Sequence, residues 1–181
     1  MGRYIALLRG INVGGKNRIK MTELKACFED HGFRRVVTYI QSGNVLFESG
    51  ERSSAKLAQR IEDMLAATFS YSASVVLRTR TQLLDIVEQA PDGFGTQPAH
   101  YRYDVLFLKP PLTAAAAMKT VPTKAGVDRA YEGPGVLYFS RLISKASQSR
   151  LSRIPSMAIY QSMTIRNWNT TMKLLRLMDG R

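Results

Sequence analysis

The chain has 181 residues, of which 45% are hydrophobic and 22% are charged, and its formal net charge is +12. This size and composition fit one compact domain, or two small halves that share a core, and they exclude a disordered chain. No run approaches the roughly 20 apolar residues of a membrane helix, and the run from Tyr4 to Leu8 is too short for a signal-peptide core, so we expect a cytoplasmic protein with no membrane partner.

The positive charge is concentrated in two segments that contain no acidic residue. Residues 1–22 hold five cations, and residues 133–178 hold seven. If these segments meet in space, they form one positive surface that attracts phosphate, nucleic acid or acidic partners. The alternative is that the charge serves only general solubility.

The first half of the chain predicts a β-α-β-β-α-β order. The consecutive apolar residues of the first strand indicate that both of its faces are covered. Thr22 is a candidate cap for the first helix, and Ser53 or Ser54 for the second. The predicted strands are 3–9, 36–41, 45–49 and 72–79, and the predicted helices are 22–30 and 54–68. This order is typical of the ferredoxin-like arrangement, four antiparallel strands with two helices on one face.

The second half repeats the order less cleanly. A helix over 81–90 and a loop over 91–100 precede a strand at 103–108, a short helix at 112–119, and a hairpin of 127–131 with 136–140. A helix at 144–151, a strand at 162–166 and a C-terminal helix through Met178 complete the prediction. The expected fold class is α+β, with two ferredoxin-like subdomains, 1–80 and 81–181, packed into one compact unit. Covered sheet faces count against an RNA-recognition motif, which displays aromatic residues on an open sheet.

The most unusual stretch is the glycine-rich, basic loop "RGINVGGKNR" from Arg9 to Arg18. It partly matches the nucleotide-binding G-x-x-x-x-G-K-[ST] pattern, but Asn17 replaces the hydroxyl that would hold magnesium. The following helix also starts several residues too late for a P-loop NTPase. Two interpretations stay open: a nest of backbone N–H groups that binds an anion, helped by nearby cations, or a simple bend between a strand and a helix.

Two further segments are rich in polar residues. Ser42, Gly43 and Asn44 form a predicted hairpin turn. The stretch "TIRNWNTTMKLL" places the single tryptophan, Trp168, between two asparagines at the start of the last helix. There the asparagines either cap the helix while Trp168 anchors it, or join Arg166 in binding a ligand where the helix dipole favours anions.

The segments "YIALLRGINVGGKNRIKM", "TYIQSGNVLFES" and "TIRNWNTTMKLL" resemble the bacterial family known as domain of unknown function 1697. The resemblance extends over nearly the whole chain in the right order. It implies a fold of two ferredoxin-like subdomains, and it implies no established reaction, substrate or cofactor.

The three motifs are all rich in glycine, asparagine, serine and arginine, which suggests that the glycine loop, the Ser42–Asn44 turn and the start of the last helix converge on one positive site, with the loop and the last helix as the better pair. The Ser42 turn is expected at the opposite end of the sheet, on the assumption that strands one and three run parallel. The candidate ligand-binding residues are Arg9, Gly10, Asn12, Gly14, Gly15, Lys16, Ser42, Asn44, Arg166, Asn167 and Asn169.

The sequence offers little catalytic machinery. Its only cysteine, Cys27, lies on an apolar helix face with His31 and is expected to be a buried thiol rather than a nucleophile. No spacing of acids, histidines or cysteine indicates a metal site or a cofactor. Three functions stay open: a binding module for nucleic acid or another polyanion, an enzyme that acts on a phosphorylated small molecule with Lys16 or Tyr39 moving protons, and an interaction protein whose motifs only build the fold.

Overall fold

The chain forms two compact units, each with one four-stranded antiparallel sheet. A computed structural model of the chain describes residues 1–12, 15 and 18–180. The first unit runs from Met1 to Thr81 and includes the C-terminal residues from Met178 on, and the second runs from Gln82 to Leu177. The architecture is therefore mixed α/β, with two sheets and several helices.

The sheet of the first unit has the strand order β2-β3-β1-β4, and every neighbouring pair is antiparallel. Its elements are β1 (Gly2–Leu8), α1 (Met21–Asp30), β2 (Arg34–Tyr39), β3 (Asn44–Ser49), α2 (Ser54–Phe69) and β4 (Val75–Thr79). As predicted, the helical spacing of apolar residues places one face of α2 in the core. Its buried residues are Leu57, Ile61, Met64 and Leu65.

The sheet of the second unit has the order β6-β7-β5-β8, again antiparallel throughout. Its elements are α3 (Arg80–Glu88), β5 (Tyr101–Leu108), α4 (Ala114–Thr120), β6 (Asp128–Gly133), β7 (Val136–Leu142), β8 (Met163–Asn167) and α5 (Trp168–Met178). Three short 3-10 helices lie between β7 and β8, at Ile143–Gln148, Leu151–Ser156 and Ala158–Ser162.

The prediction of a helix at 144–151 was therefore only partly right. Serine side chains compete with backbone hydrogen bonding, and the predicted range contains Ser144, Ser147 and Ser149. The segment forms 3-10 turns instead of an α-helix, and Leu151 and Ile154 still anchor it in the core of the second unit.

The central strands are buried on both faces, as their consecutive apolar residues predict. Tyr4 through Leu8 are at most 6% exposed, and Val105 through Leu108 at most 1%. In the described part of the chain, no helix has the length and apolar character needed to cross a membrane.

Candidate functional site

The glycine loop occupies residues 9–20, between β1 and α1, and both of its ends are fastened to the first unit. Ile11 and Ile19 are 1% and 4% exposed and belong to the apolar core. Tyr71 donates its hydroxyl hydrogen to the carbonyl of Arg9, and the backbone N–H of Arg9 donates to the carbonyl of Ser74 at 3.0 Å.

Asn12 closes the neck of this loop with its side-chain amide. Its Oδ1 accepts from the backbone N–H of Ile19 at 2.9 Å, and its Nδ2 donates to the carbonyl of Ile19 at 3.0 Å. The same Nδ2 donates to the carbonyl of Gln41 at 2.9 Å. One side chain thus joins the two ends of the loop to each other and to the β2–β3 turn, which assigns Asn12 a bracing role.

The loop beyond this neck carries glycine and cationic residues. Gly15 has a φ of +76° and is exposed, and Arg18 is exposed as well. Gly14 and Lys16, two of the predicted ligand-binding residues, lie outside the described residues, as does Asn17. The predicted nest needs the amides of both Gly14 and Gly15, so it stays a prediction.

The helix after the loop begins without a capping side chain. The prediction that Thr22 caps α1 was wrong, because the helix already begins at Met21 and Lys20 occupies the N-cap position. A lysine side chain accepts no hydrogen bond, so it leaves the first-turn amides without a side-chain cap. These amides adjoin an open groove that is lined by Gly15, Arg18, Ile19 and Gln41, among others.

The β2–β3 turn lies at the same end of the sheet as the glycine loop, which corrects the predicted opposite placement. The prediction assumed that strands one and three run parallel, whereas β1 and β3 are antiparallel neighbours with Leu7 opposite Asn44. The end of β1 therefore adjoins the beginning of β3. The N–H of Leu8 donates to the carbonyl of Gly43 at 2.9 Å, and a Cβ at Gly43 would lie 2.6 Å from Ile11 Cδ1.

Of the two turn residues among the predicted ligands, Asn44 is fully buried and Ser42 is half-buried. Asn44 Nδ2 donates to the carbonyl of Tyr39 at 2.9 Å and to Ser42 Oγ at 3.0 Å. These contacts hold the turn that supports the loop. Asn44 therefore fixes the geometry of this turn.

Arg166, Asn167 and Asn169 lie in the second unit, around the junction of β8 and α5. Asn167 caps the helix, since its Oδ1 accepts from the N–H of Thr170 at 2.7 Å. Arg166 is 7% exposed and donates to Thr164 Oγ1 and to the carbonyl of Ile165. Burial lowers the pKa of its guanidinium to about 10. Asn169 is exposed. The convergence of these residues with the glycine loop stays a prediction.

Trp168 packs within the second unit. Its ring meets that of Phe94 edge-on, with the centroids 5.2 Å apart. Gly95 lies against the indole, because a Cβ there would come within 2.4 Å of Nε1. These contacts support the interpretation that Trp168 anchors the last helix. The indole is half-buried rather than fully enclosed.

The contacts around Cys27 support a structural role. The thiol is 4% exposed and lies 3.4 Å from Thr68 Oγ1. His31 Nδ1 lies 2.7 Å from the backbone carbonyl of Cys27, so the contact between the two residues does not involve the thiol. Among the described residues, no three potential metal-ligating side chains cluster together.

Comparison with known proteins agrees with the resemblance noted in the sequence. A family model described as "Protein of unknown function (DUF1697)" matches residues 1–138. The chain belongs to this family. Its fold is similar to that of the conserved bacterial protein SP0830 from Streptococcus pneumoniae, with a TM-score of 0.85 and 28% identity over 98% of each chain. No curated protein matches the chain.

One organising carboxylate of the second unit is not among the residues predicted from the sequence. Asp128, at the start of β6, accepts hydrogen bonds from Ser149 Oγ and from the backbone N–H groups of Lys124 and Arg150. Its partners are up to 22 residues away along the chain, and no local sequence pattern predicts such a contact.

Proposed function

We propose that this protein binds an anionic ligand, either nucleic acid or a phosphorylated molecule, at the loop of residues 9–20. The observation that supports the proposal is a difference in length between two equivalent connections, one in each unit. In the first unit twelve residues connect β1 to α1, whereas in the second unit five residues, 109–113, connect β5 to α4. The longer connection exceeds what joining the central strand to the next helix requires.

The construction of the loop supports a binding role rather than a slack bend. Asn12, Ile11 and Ile19 fix its two ends, so fewer conformations have to be lost when a ligand binds. Arg18 and Lys20 are exposed beside the uncapped first turn of α1. Cations and free backbone amides are the groups that recognise phosphate oxygens.

A purely structural role has support at two of the candidate positions. The side chains of Asn12 and Asn44 make hydrogen bonds that hold the loop and the turn in place. We assign these two residues to positioning and the loop's glycines and cations to ligand contact. For the fold itself, the two strand orders support the proposal that both units are variants of the ferredoxin-like arrangement.

The test compares two double variants that remove equal charge from the first unit. Lys16→Gln with Arg18→Gln alters the loop, whereas Arg52→Gln with Lys56→Gln alters exposed cations at the start of α2. Fluorescence anisotropy with a labelled single-stranded oligothymidylate measures affinity at several salt concentrations. We expect the loop variant to bind at least tenfold more weakly and to lower the salt slope by about 1.4, about 0.7 for each phosphate of the single strand that no longer meets a cation.

Equal losses in the two variants would show that general charge, and not the loop, attracts the polyanion. Titration of pyrophosphate, monitored by calorimetry, provides the small-molecule arm. Pyrophosphate binding that depends on Lys16 and Arg18, together with no oligonucleotide binding, would favour a phosphorylated small molecule as the ligand. Binding of neither probe would contradict the proposal.

A further inference from the structure

The second unit contains a basic cleft separate from the glycine loop, which we name the serine–arginine cleft. Three cations line it: Lys124, Arg150 and Arg153. The other lining residues are Ser147, Gln148, Ser149 and Ser152. All of them belong to the second unit, and none belongs to the glycine loop or to the start of α5.

One buried carboxylate holds this cleft together. Asp128 is 7% exposed. Its Oδ2 accepts from the N–H of Lys124 at 2.9 Å and from the N–H of Arg150 at 2.8 Å, and its Oδ1 accepts from Ser149 Oγ at 2.6 Å. The loop before β6 and the Ser/Arg-rich turns after β7 are therefore fixed side by side, which brings Lys124 close to Arg150.

The cations of the cleft are not neutralised by ion pairs. Across the described residues, Lys124, Arg150 and Arg153 form no salt bridge with an acidic side chain. The carboxylate of Asp128 is bonded to the backbone of this segment, and its two oxygens already accept three hydrogen bonds. The three cations outnumber this one carboxylate, so the cleft keeps a positive potential.

The available donors suit a phosphoryl group. Arginine forks and lysine ammonium groups bind phosphate oxygens through charge-assisted hydrogen bonds, and the exposed Ser147 and Gln148 can add neutral donors. Leu151 and Ile154 anchor the same segment in the core. The donors thus project from a fixed backbone, which limits the entropy lost on binding.

We infer that the serine–arginine cleft is a phosphate-binding site, which takes the phosphoryl group of a phosphorylated ligand through Lys124, Arg150 and Arg153. This site is independent of the one proposed at the glycine loop. The two sites share no residue, so a separate pair of substitutions tests each of them and a failure of one proposal is distinguishable from a failure of the other.

Pyrophosphate is the probe for the test, titrated into the ¹⁵N-labelled full-length protein at constant ionic strength. We expect saturable chemical-shift changes at the backbone amides of Lys124 and of residues 147–150. Arg150→Gln with Arg153→Gln should weaken pyrophosphate binding at these amides at least tenfold, and Lys124→Gln with Arg153→Gln at least fivefold. The matched control, Arg52→Gln with Lys56→Gln, removes the same charge from the first unit and should change the affinity less than twofold.

Lys124 and Arg153 are both exposed, so their double variant is expected to fold even where the replacement of half-buried Arg150 disturbs the turns. Shifts that do not saturate, or an equal loss of affinity in the control, would overturn the assignment. A competing single-stranded oligothymidylate distinguishes the sources of the phosphate. Displacement of pyrophosphate from these amides supports a nucleic-acid backbone, and saturable pyrophosphate binding without displacement supports a small phosphorylated molecule.

Discussion

The two units end their central strands in the same way and then diverge. The N–H of Leu8 donates to the carbonyl of Gly43 at 2.9 Å, and that of Leu108 donates to Gly135 at 3.0 Å. One residue later, Arg9 and Lys109 donate to serine carbonyls that precede the edge strands, at Ser74 and Ser162. Beyond these matched bonds, the first unit inserts a braced glycine loop, whereas the second passes to its helix through "KPPLT".

A second divergence lies between the third and fourth strands of each sheet. The first unit has the regular helix α2 there, and the second unit has three 3-10 helices with many serines. Each unit thus departs from the shared plan at one connection, and each departure carries several cations. Shared elements meet the needs of folding, so the departures are where a ligand-specific role is to be sought.

The largest expected effect tests whether the glycine loop packs against the β2–β3 turn in the first unit. Gly43→Ala places a methyl group against Ile11 and Leu8 at a φ of +78°. Left-handed strain and overpacking should together lower the free energy of unfolding by about 3 kcal/mol, measured by urea denaturation. Gly10→Ala is the control, since its φ is +71° but its Cβ would meet no atom within 4 Å, and we expect a loss of about 1 kcal/mol. Equal losses would mean that contact with Ile11 contributes nothing.

The sequence predicted the elements better than their pairing. Apolar runs such as Tyr4 to Leu8 identify buried strands because they need cover on both faces, and helical spacing identifies α2. The placement of the Ser42 turn was wrong because it assumed that strands one and three run parallel, whereas the hairpin between strands two and three makes β3 antiparallel to β1. The braces were also hidden, because Asn12 bonds Gln41, 29 residues away, and a lone asparagine in a glycine-rich loop is equally typical of a turn or a ligand contact.

A smaller effect measures the brace itself. Asn12→Ala removes three hydrogen bonds and leaves the backbone groups of Ile19 without these side-chain partners. We expect the free energy of unfolding to fall by about 1.5 kcal/mol, and oligonucleotide affinity to fall because the loop loses its fixed neck. Thermal and urea unfolding give the first value, and fluorescence anisotropy gives the second.

Two further variants separate the causes of that loss. Asn12→Gly removes the same side chain while it suits the φ of +53°, so a loss of stability that persists in this variant is due to the hydrogen bonds. Asn169→Ala removes an exposed asparagine in the second unit and should change stability by less than about 0.5 kcal/mol. The brace would be refuted if Asn12→Ala were as harmless as Asn169→Ala.

The smallest effect concerns equivalent positions on the two central strands. Tyr4 stacks on Phe47, its partner on β3, whereas Asp104 faces Phe139 on β7. Burial raises the pKa of the Asp104 carboxyl, only partly opposed by Arg141 and Arg102, because the nearest Arg141 nitrogen is 4.0 Å away. The folded state therefore favours the protonated acid, and the charged form costs stability at neutral pH.

Asp104→Asn should stabilise the protein at pH 7 by less than about 1 kcal/mol, and this advantage should shrink as the pH falls through the raised pKa towards about 3.9, the unfolded value. Urea unfolding measured across pH gives both values, and Asp92→Asn, at an exposed acid of the same unit, is the matched control. An advantage of Asp104→Asn that grew on acidification would contradict this prediction, because it would mean that the arginines more than offset the cost of burying the carboxylate.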